Sequence, residues 1–519
     1  MGTRKKTASN KKNKCVIGPL NEQKRNRKAF LVRLKAARSQ MKRPLLNQPC
    51  NSDERLFLKK IGNFSKGLPH NRLGEVDLCA YNAYIKALKT GDPKDFESIP
   101  LGGVAKLANP QAAYVFDLIG PDCHHLGLDV PPAFSSAWEA SEMAEIYWQA
   151  LTRDVPFTDY DTNPLTQAAA VDLSRFSDFR GPKVNGAVTT GTLFRSATPG
   201  DIVGPYLSQF LWKDIPYGAT TIIQKYHTTV SGSNHMTLYE EWLNIQNGSS
   251  ARSPLYDPTP RYIRNGRDLG EYVHQDFTYQ CPLSVCLILL HFPKEALSLG
   301  NPYRNSATQI GFVTFGAAHI LDLVAKAGRA ALGAAWFQKY LVHRRLRPEE
   351  FGGRVHNHLI LAANYPIHSE LLHSQAISQV FSKYGSYLLP MAYPEGCPTH
   401  PAYPAGHACI VGAGVTILKA FFNESFVIPN PVVPSFDGLT LLPYSGPPLT
   451  IGGELNKLAA NISIGRDAAG VHWRSDGIEG LKLGEAVAIG ILRDYRKTYN
   501  EEFNGFSLTK FDGSSITIK

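Results

Sequence analysis

Three segments in the second half of the chain carry residue types that could hold an oxyanion. "KYLVHRRLRPEEFGG" supplies Lys339 and Arg347, and "GRDAAGVHWRSD" supplies Arg466, then His472 six residues on, then Asp476 one helical turn later. Between them lies "HPAYPAGHACIVGAG", from His400 to Gly414, with His400 and His407 seven residues apart. Pro404 there can open a helix at Gly406 and His407, whose first-turn N–H groups have no partner inside the helix and point outward, a ready anion site. The set amounts to three permanent cations, a helix N-terminus and two histidines. Each part alone is ordinary, since a Lys and an Arg near a helix C-terminus commonly only complement the helix dipole. Three such segments in this order, each pairing a rigid or small backbone with an oxyanion-binding side chain, are hard to explain as packing.

The elements that must position these residues read as helices. Ser135–Thr152 has acids early and apolar residues at helical spacing, as an amphipathic helix should. Residues 317–335 contain eight alanines, with Ile320, Leu323, Val324, Ala327, Ala331 and Ala334 forming a stripe to bury against another helix, and Pro348 is expected to stop that run after Arg347. Gly477, Gly480, Gly484 and Ala488 recur near-helically, which lets two helix backbones approach closely. Residues 175–275, richer in Gly, Pro, Thr and Asn, read as loops and small hairpins. The fold class expected is mostly α: helical bundles with long loops and minor β hairpins.

At 519 residues, with 43% hydrophobic and 19% charged, the chain can bury a large core. Its net charge of +11 is a property of one end, because residues 1–45 hold fifteen Lys and Arg against Glu22 alone. That segment is expected to be a disordered basic tail, and 46–519 a single large domain with its active-site half at about 310–500. The tail lacks the apolar run of a secretory signal, so a cytoplasmic placement is the default expectation. The longest apolar stretch, "VCLILL" from Val285, is far too short to span a membrane. Eight cysteines show no CxxC pair or zinc-type spacing, and "CHH" at Cys123–His125 and "HNH" at His356–His358 read as loop histidines. No P-loop, dinucleotide fingerprint, G-x-S-x-G elbow or nucleic-acid module is present.

The three segments resemble the signature of the vanadium-dependent haloperoxidases and the related PAP2-type acid phosphatases: Lys and Arg-Pro, then Pro-Ser-Gly-His, then Arg, Gly-X-His and Asp. "PFTDYDTNPLTQAAAVDL", "GDIVGPYLSQFLWKDIPYG" and "LYEEWLNIQNG" also look like the haloperoxidases, so the resemblance runs from about residue 70 onward. It implies a vanadate cofactor whose oxygens are neutralised by Lys339, Arg347 and Arg466 with the Gly406 N–H, whose V(V) is ligated by His472, and whose acid–base group is His407. The same resemblance implies hydrogen peroxide, halide and a small organic acceptor as partners, and a homo-oligomer. His400, and the eight residues from Lys339 to Arg347, resemble bromoperoxidases, so bromide, with iodide, is the expected halide. Asp276 in "YVHQDFTYQ" would be the carboxylate that orients Arg466.

Two residues depart from the pattern. Ala405 stands where the family has Ser, which removes a hydroxyl donor to the cofactor, and Gln338 stands where some algal enzymes have Arg. A structural calcium ion enters the expectation with no motif of its own. Two other readings stay open: a phosphomonoesterase with His472 as nucleophile and His407 protonating the leaving oxygen, and a helical bundle that has lost its cofactor and binds partners through the basic tail.

Overall fold

The residue between Pro404 and Gly406 caps a helix that is apolar on every side, and the rest of the active-site half is built around that helix. In the computed structural model, which describes residues 18–519, the helix runs Gly406–Phe421 and every residue in it except His407 is buried. A helix without a polar face must be surrounded. It packs between Ala317–Phe337 and Arg474–Tyr495, with Ile451–Ala468 alongside. The expected stripe on the alanine-rich helix, from Ile320 to Ala334, is buried throughout.

Small residues set the spacing between these helices. A methyl group on Gly480 would lie 2.7 Å from Ala408 Cβ and 2.9 Å from the Ala405 carbonyl, and one on Gly412 would lie 2.7 Å from the Leu481 carbonyl. At Gly484 it would collide with the Cys409 carbonyl. The backbones of the two helices are therefore in near contact, and a single Cβ at these positions forces them apart.

Among the described residues there are sixteen α-helices and three two-stranded antiparallel hairpins, paired Ile215↔Ile222, Val432↔Pro443 and Phe506↔Ile518 at their ends. The helical class expected from the sequence is the class observed. No described helix is long and apolar enough to cross a membrane.

Four local expectations need correction. Ala137–Thr152 is a helix capped by Ser136, but it is buried on all sides from Glu139 to Thr152, so its acids are interior ion-pair partners and not a solvated face. The run 175–275 contains the helices Tyr239–Gln246 and Gly266–Gln275 besides its hairpin, because Gly and Pro cluster outside those two segments. Pro348 does not end the alanine-rich helix: that helix widens into a π turn over Gln338–His343 and stops at Arg344 in left-handed backbone (φ 43°), while Pro348 opens the next helix, Pro348–Leu359. His356 and His358 sit in that helix, and their Nδ1 atoms accept the N–H groups of Tyr387 and Tyr365 at 3.2 Å each.

The chain divides at Pro44 and Leu45. Part of the 1–45 tail expected to be disordered is a helix, Glu22–Met41, and residues 1–17 of it lie outside the described residues. Charge argued for disorder, but Lys, Arg, Ala, Leu and Gln are good helix formers, Asn21 caps the Lys24 N–H at 2.9 Å, and Glu22 and Arg38 suit the two ends of the dipole.

Two outcomes follow from the packing. Gly484→Val should lower stability by about 3 kcal/mol or more, the upper range for overpacking, read as a fall in thermal midpoint; an unchanged midpoint would mean that the two helices are not held at this separation. Since Glu22–Met41 buries no residue, a chain lacking residues 1–44 should keep its thermal midpoint, and a fall would assign the segment a structural role.

Candidate active site

Lys339 lies inside the π turn, is fully buried, and donates to the carbonyls of Pro401 and Ala402 at 2.7 Å each. Those carbonyls flank the turn that carries His400 toward Ala405, so the lysine is fastened to the second segment. Arg347 is the N-cap of Pro348–Leu359 and spreads its guanidinium across the other two segments. Nε donates to the His400 carbonyl at 2.9 Å, Nη1 to the Val471 carbonyl at 2.7 Å and to His472 Nε2 at 3.0 Å, and Nη2 reaches His400 Nδ1 at 3.0 Å.

Arg466 ends the helix Ile451–Ala468, and Gly470 in left-handed backbone (φ 85°) reverses the chain so that His472 returns to the same place. The Val471 N–H closes that turn on the Arg466 carbonyl at 3.1 Å. Arg466 Nη1 donates to the Val273 carbonyl at 2.7 Å, its guanidinium lies over the Tyr393 ring, and its Nε is buried with no acceptor among the described residues. Asp276, expected on Arg466, is instead 2.9 Å from His407 Nε2. The reason is local: a free carbonyl in the last turn of Gly266–Gln275 takes the arginine, and Asp276, in extended backbone just past that helix, reaches the histidine.

His472 is fixed through its other nitrogen. Its Nδ1 donates to Asp476 Oδ2 at 2.8 Å, which leaves Nε2 as a lone pair aimed at the Arg347 side of the pocket. Asp476 is buried completely and is held in turn: Oδ2 also accepts the Trp473 N–H at 3.2 Å, and Oδ1 accepts Arg345 Nη1 at 2.8 Å. The Asp476 carbonyl accepts the Ala405 N–H at 2.9 Å, which ties the start of one helix to the start of the other. Arg345 also binds Ser475, Glu139 and Glu142 and faces the Trp473 ring.

Arg345 was missed by sequence reasoning. A signal for it existed in the three acids Glu139, Glu142 and Glu145, spaced on one face of an otherwise apolar helix, which would need buried cations. Trp336 was also missed; its ring lies 4.8 Å from that of His400.

The electrostatics follow from burial. Lys339, Arg347 and Arg466 end their hydrogen bonds on neutral groups, and none has a carboxylate within ion-pair distance among the described residues, whereas Arg345 and Arg474 do. Burial and then the Arg347 charge hold the Lys339 ammonium well below the usual lysine value. Burial and then the neighbouring cations push His472 and His400 well below the usual histidine range, so both imidazoles are neutral. His407 is shifted down by burial and by Arg466, against the opposing pull of Asp276, and its side chain is 29% exposed.

At the helix start, the Gly406 and His407 N–H groups find no acceptor among the described residues. Ala405 supplies no side-chain cap. These donors, the bare Arg466 Nε and the third hydrogen of the Lys339 ammonium suit an anion of three or four oxygens, and the His472 lone pair suits an electron-poor centre within it. Among the described residues no group of three or more His, Cys, Asp or Glu could hold a metal cation, so the expected calcium ion finds no support.

The same chain matches known proteins. A family model described as the VCPO second helical-bundle domain matches residues 321–501, which contain all three segments. A vanadium-dependent bromoperoxidase of Ascophyllum nodosum is 36% identical, over 96% of this chain and 93% of that protein. Vanadium-dependent bromoperoxidases of Corallina pilulifera and Corallina officinalis are 34% and 33% identical, each over 96% of this chain and 99% of the relative. A homohexameric structure of the second vanadate-dependent bromoperoxidase of Ascophyllum nodosum is similar with a TM-score of 0.92 at 31% identity, covering 100% of this chain and 94% of that one. Identity of this order along the whole length, on the same backbone, makes the chain a member of the vanadium-dependent bromoperoxidases and its activity that of a vanadate-dependent haloperoxidase.

Proposed function

We propose that this chain oxidises bromide, and iodide with it, at a vanadate site formed by Lys339, Arg347, Gly406, Arg466 and His472, with His407 as the acid–base group. The observation that carries the assignment is the trio of buried cations without carboxylate partners among the described residues, arranged around a histidine whose Nε2 keeps its lone pair and meets only the Arg347 guanidinium, at 3.0 Å. Such cations are costly unless an anion joins them. When bound, vanadate supplies a V(V) Lewis acid that activates hydrogen peroxide for oxygen transfer to halide.

The residues divide the rest of the work. Lys339, Arg347 and Arg466 neutralise the anion's oxygens, and the Gly406 N–H adds a neutral donor. Asp476 keeps the His472 proton on Nδ1, so the ligand nitrogen stays deprotonated. His407 is partly exposed and aligned by Asp276, which supports a role in moving a proton between the site and solvent at its remaining ring nitrogen. His400 is held by Arg347 and packed on Trp336, which supports a place in the wall of the halide site. The homohexameric relative supports a homo-oligomer of this chain as well.

Apoprotein given orthovanadate, peroxide and bromide should brominate a phenolic dye only when vanadate is present, and phosphate should inhibit by competing for the cations. Hydrolysis of a phosphate ester without any bromination would instead favour the phosphomonoesterase reading. His472→Ala should abolish bromination and lower the thermal midpoint modestly with the fold kept, because the buried ring is one partner of the Asp476 carboxylate, which keeps Arg345; near-normal vanadate-dependent turnover would refute the ligand assignment.

Ala405→Ser tests the departure from the family. One hydroxyl donated to an anion should add about 1–2 kcal/mol, so the vanadate dissociation constant measured by equilibrium dialysis should fall by roughly five- to thirty-fold. An unchanged constant with a raised thermal midpoint would show the hydroxyl acting as a helix cap, since position 405 is the N-cap.

A further inference from the structure

We propose that the groove between the turn Pro110–Tyr114 and the helix Ala317–Phe337 is the seat of the organic acceptor, and that the acceptor it takes is a phenol. The proposal rests on the bromoperoxidase reading and adds a binding site to it. The groove has a volume of about 600 Å³, within the usual range for small-molecule sites.

Its inner wall is also the outer wall of the anion site. Trp336 and Leu332 line the groove. The same Trp336 ring is 4.8 Å from the His400 ring, and a methyl group on Gly406 would meet Leu332 Cδ1 at 3.2 Å and Trp336 Cζ3 at 3.6 Å. One aromatic ring therefore separates a molecule in the groove from the residues that hold the oxyanion. That ring is fixed, because Trp336 Nε1 donates to the Ala108 carbonyl at 3.1 Å and the Tyr340 hydroxyl donates to the same oxygen at 2.9 Å.

The lining selects the ligand. Trp336 and Tyr114 offer aromatic surface, and Ala112 and Val115 complete an apolar wall. At the rim stand Asn109 and Gln111, whose side-chain amides make no hydrogen bond within the described chain and can meet a hydroxyl group. The groove has one charged lining residue, Arg329, which is already paired with Asp117, and no carboxylate. An electron-rich ring with one hydroxyl matches this surface, and it matches the reaction's product. A ring carbon of the phenol gives an electron pair to the bromine of hypobromous acid, the O–Br bond breaks toward oxygen, and the displaced hydroxide takes the ring proton to form water.

The test uses vanadate-loaded enzyme with peroxide and bromide, and two competing phenols: 4-methylphenol, whose flat ring can lie against Trp336 and Tyr114, and 3,5-di-tert-butylphenol, whose branched groups hold its ring off an aromatic face. Reagent hypobromous acid gives the reference ratio of brominated products. The enzyme should favour 4-methylphenol by about tenfold over that reference, the scale of a modest aromatic site. Ala112→Trp, which sets an indole into the apolar wall where the ring would lie, should return the ratio to the reference and weaken calorimetric binding of 4-methylphenol, while bromide-dependent peroxide consumption stays at the wild-type rate. Val115→Trp serves if the first variant does not fold. A wild-type ratio equal to the reference, or 4-methylphenol binding that survives both variants, overturns the groove. Absence of any bromide-dependent peroxide consumption would instead strike the bromoperoxidase reading, and calorimetry would still decide the groove.

Discussion

The organisation of the active-site half depends on keeping three cations buried with no carboxylate within ion-pair distance among the described residues. Lys339, Arg347 and Arg466 are held by carbonyls: Pro401 and Ala402, His400 and Val471, and Val273. Carbonyl dipoles satisfy the donors but leave the charges in place, which is the condition for attracting an oxyanion strongly from water. To aim these carbonyls inward the chain must be irregular where it would otherwise be helical. A π turn carries Lys339, left-handed residues at Arg344 and Gly470 reverse the chain on either side, and Arg347, Ala405 and Trp473 each stand at the first position before a helix. The close-packed helices behind provide the rigidity that such a turn-built site needs.

Elsewhere the same interior treats its cations in the opposite way. Arg345 is shared by Glu139, Glu142 and Asp476, and Arg474 is paired with Glu145. Removing one partner from such a cluster strands a buried charge at a cost of about 3–5 kcal/mol, so the cluster is rigid. Asp476 belongs to both groups, since Oδ1 faces Arg345 and Oδ2 faces His472. Through that carboxylate the rigid cluster sets the direction of His472, and through its carbonyl it also sets the start of the helix that carries His407.

Legibility followed the range of the interactions involved. The three segments, the helical class, the buried alanine stripe and the glycine contacts could be read because each is local: a spacing, a period or a small residue. Asp276 was expected on Arg466 and lies instead on His407, because the choice between the two depends on which carbonyl the end of Gly266–Gln275 offers. Arg345 and the acids of Ala137–Thr152 were misread for a related reason. Glutamates in a helix imply solvent unless a cation some two hundred residues away is known to meet them. The helix in the basic tail was hidden by net charge, which says nothing of the helix propensity of the residues that bear it.

The two histidine–aspartate pairs show how one chemical motif can be divided into two roles. In the pair His472–Asp476 the carboxylate is completely buried and half of its hydrogen-bonding capacity is spent on Arg345, while the surrounding cations oppose any further positive charge on the ring. That imidazole stays neutral, as a ligand must. In the pair His407–Asp276 the carboxylate meets no arginine among the described residues, and the imidazole is partly open to solvent, so Asp276 can stabilise a proton on His407 as it arrives and the solvent can take it away. In the proposed mechanism the first pair therefore holds and the second exchanges. What separates them is the presence or absence of a buried guanidinium on the far side of the carboxylate.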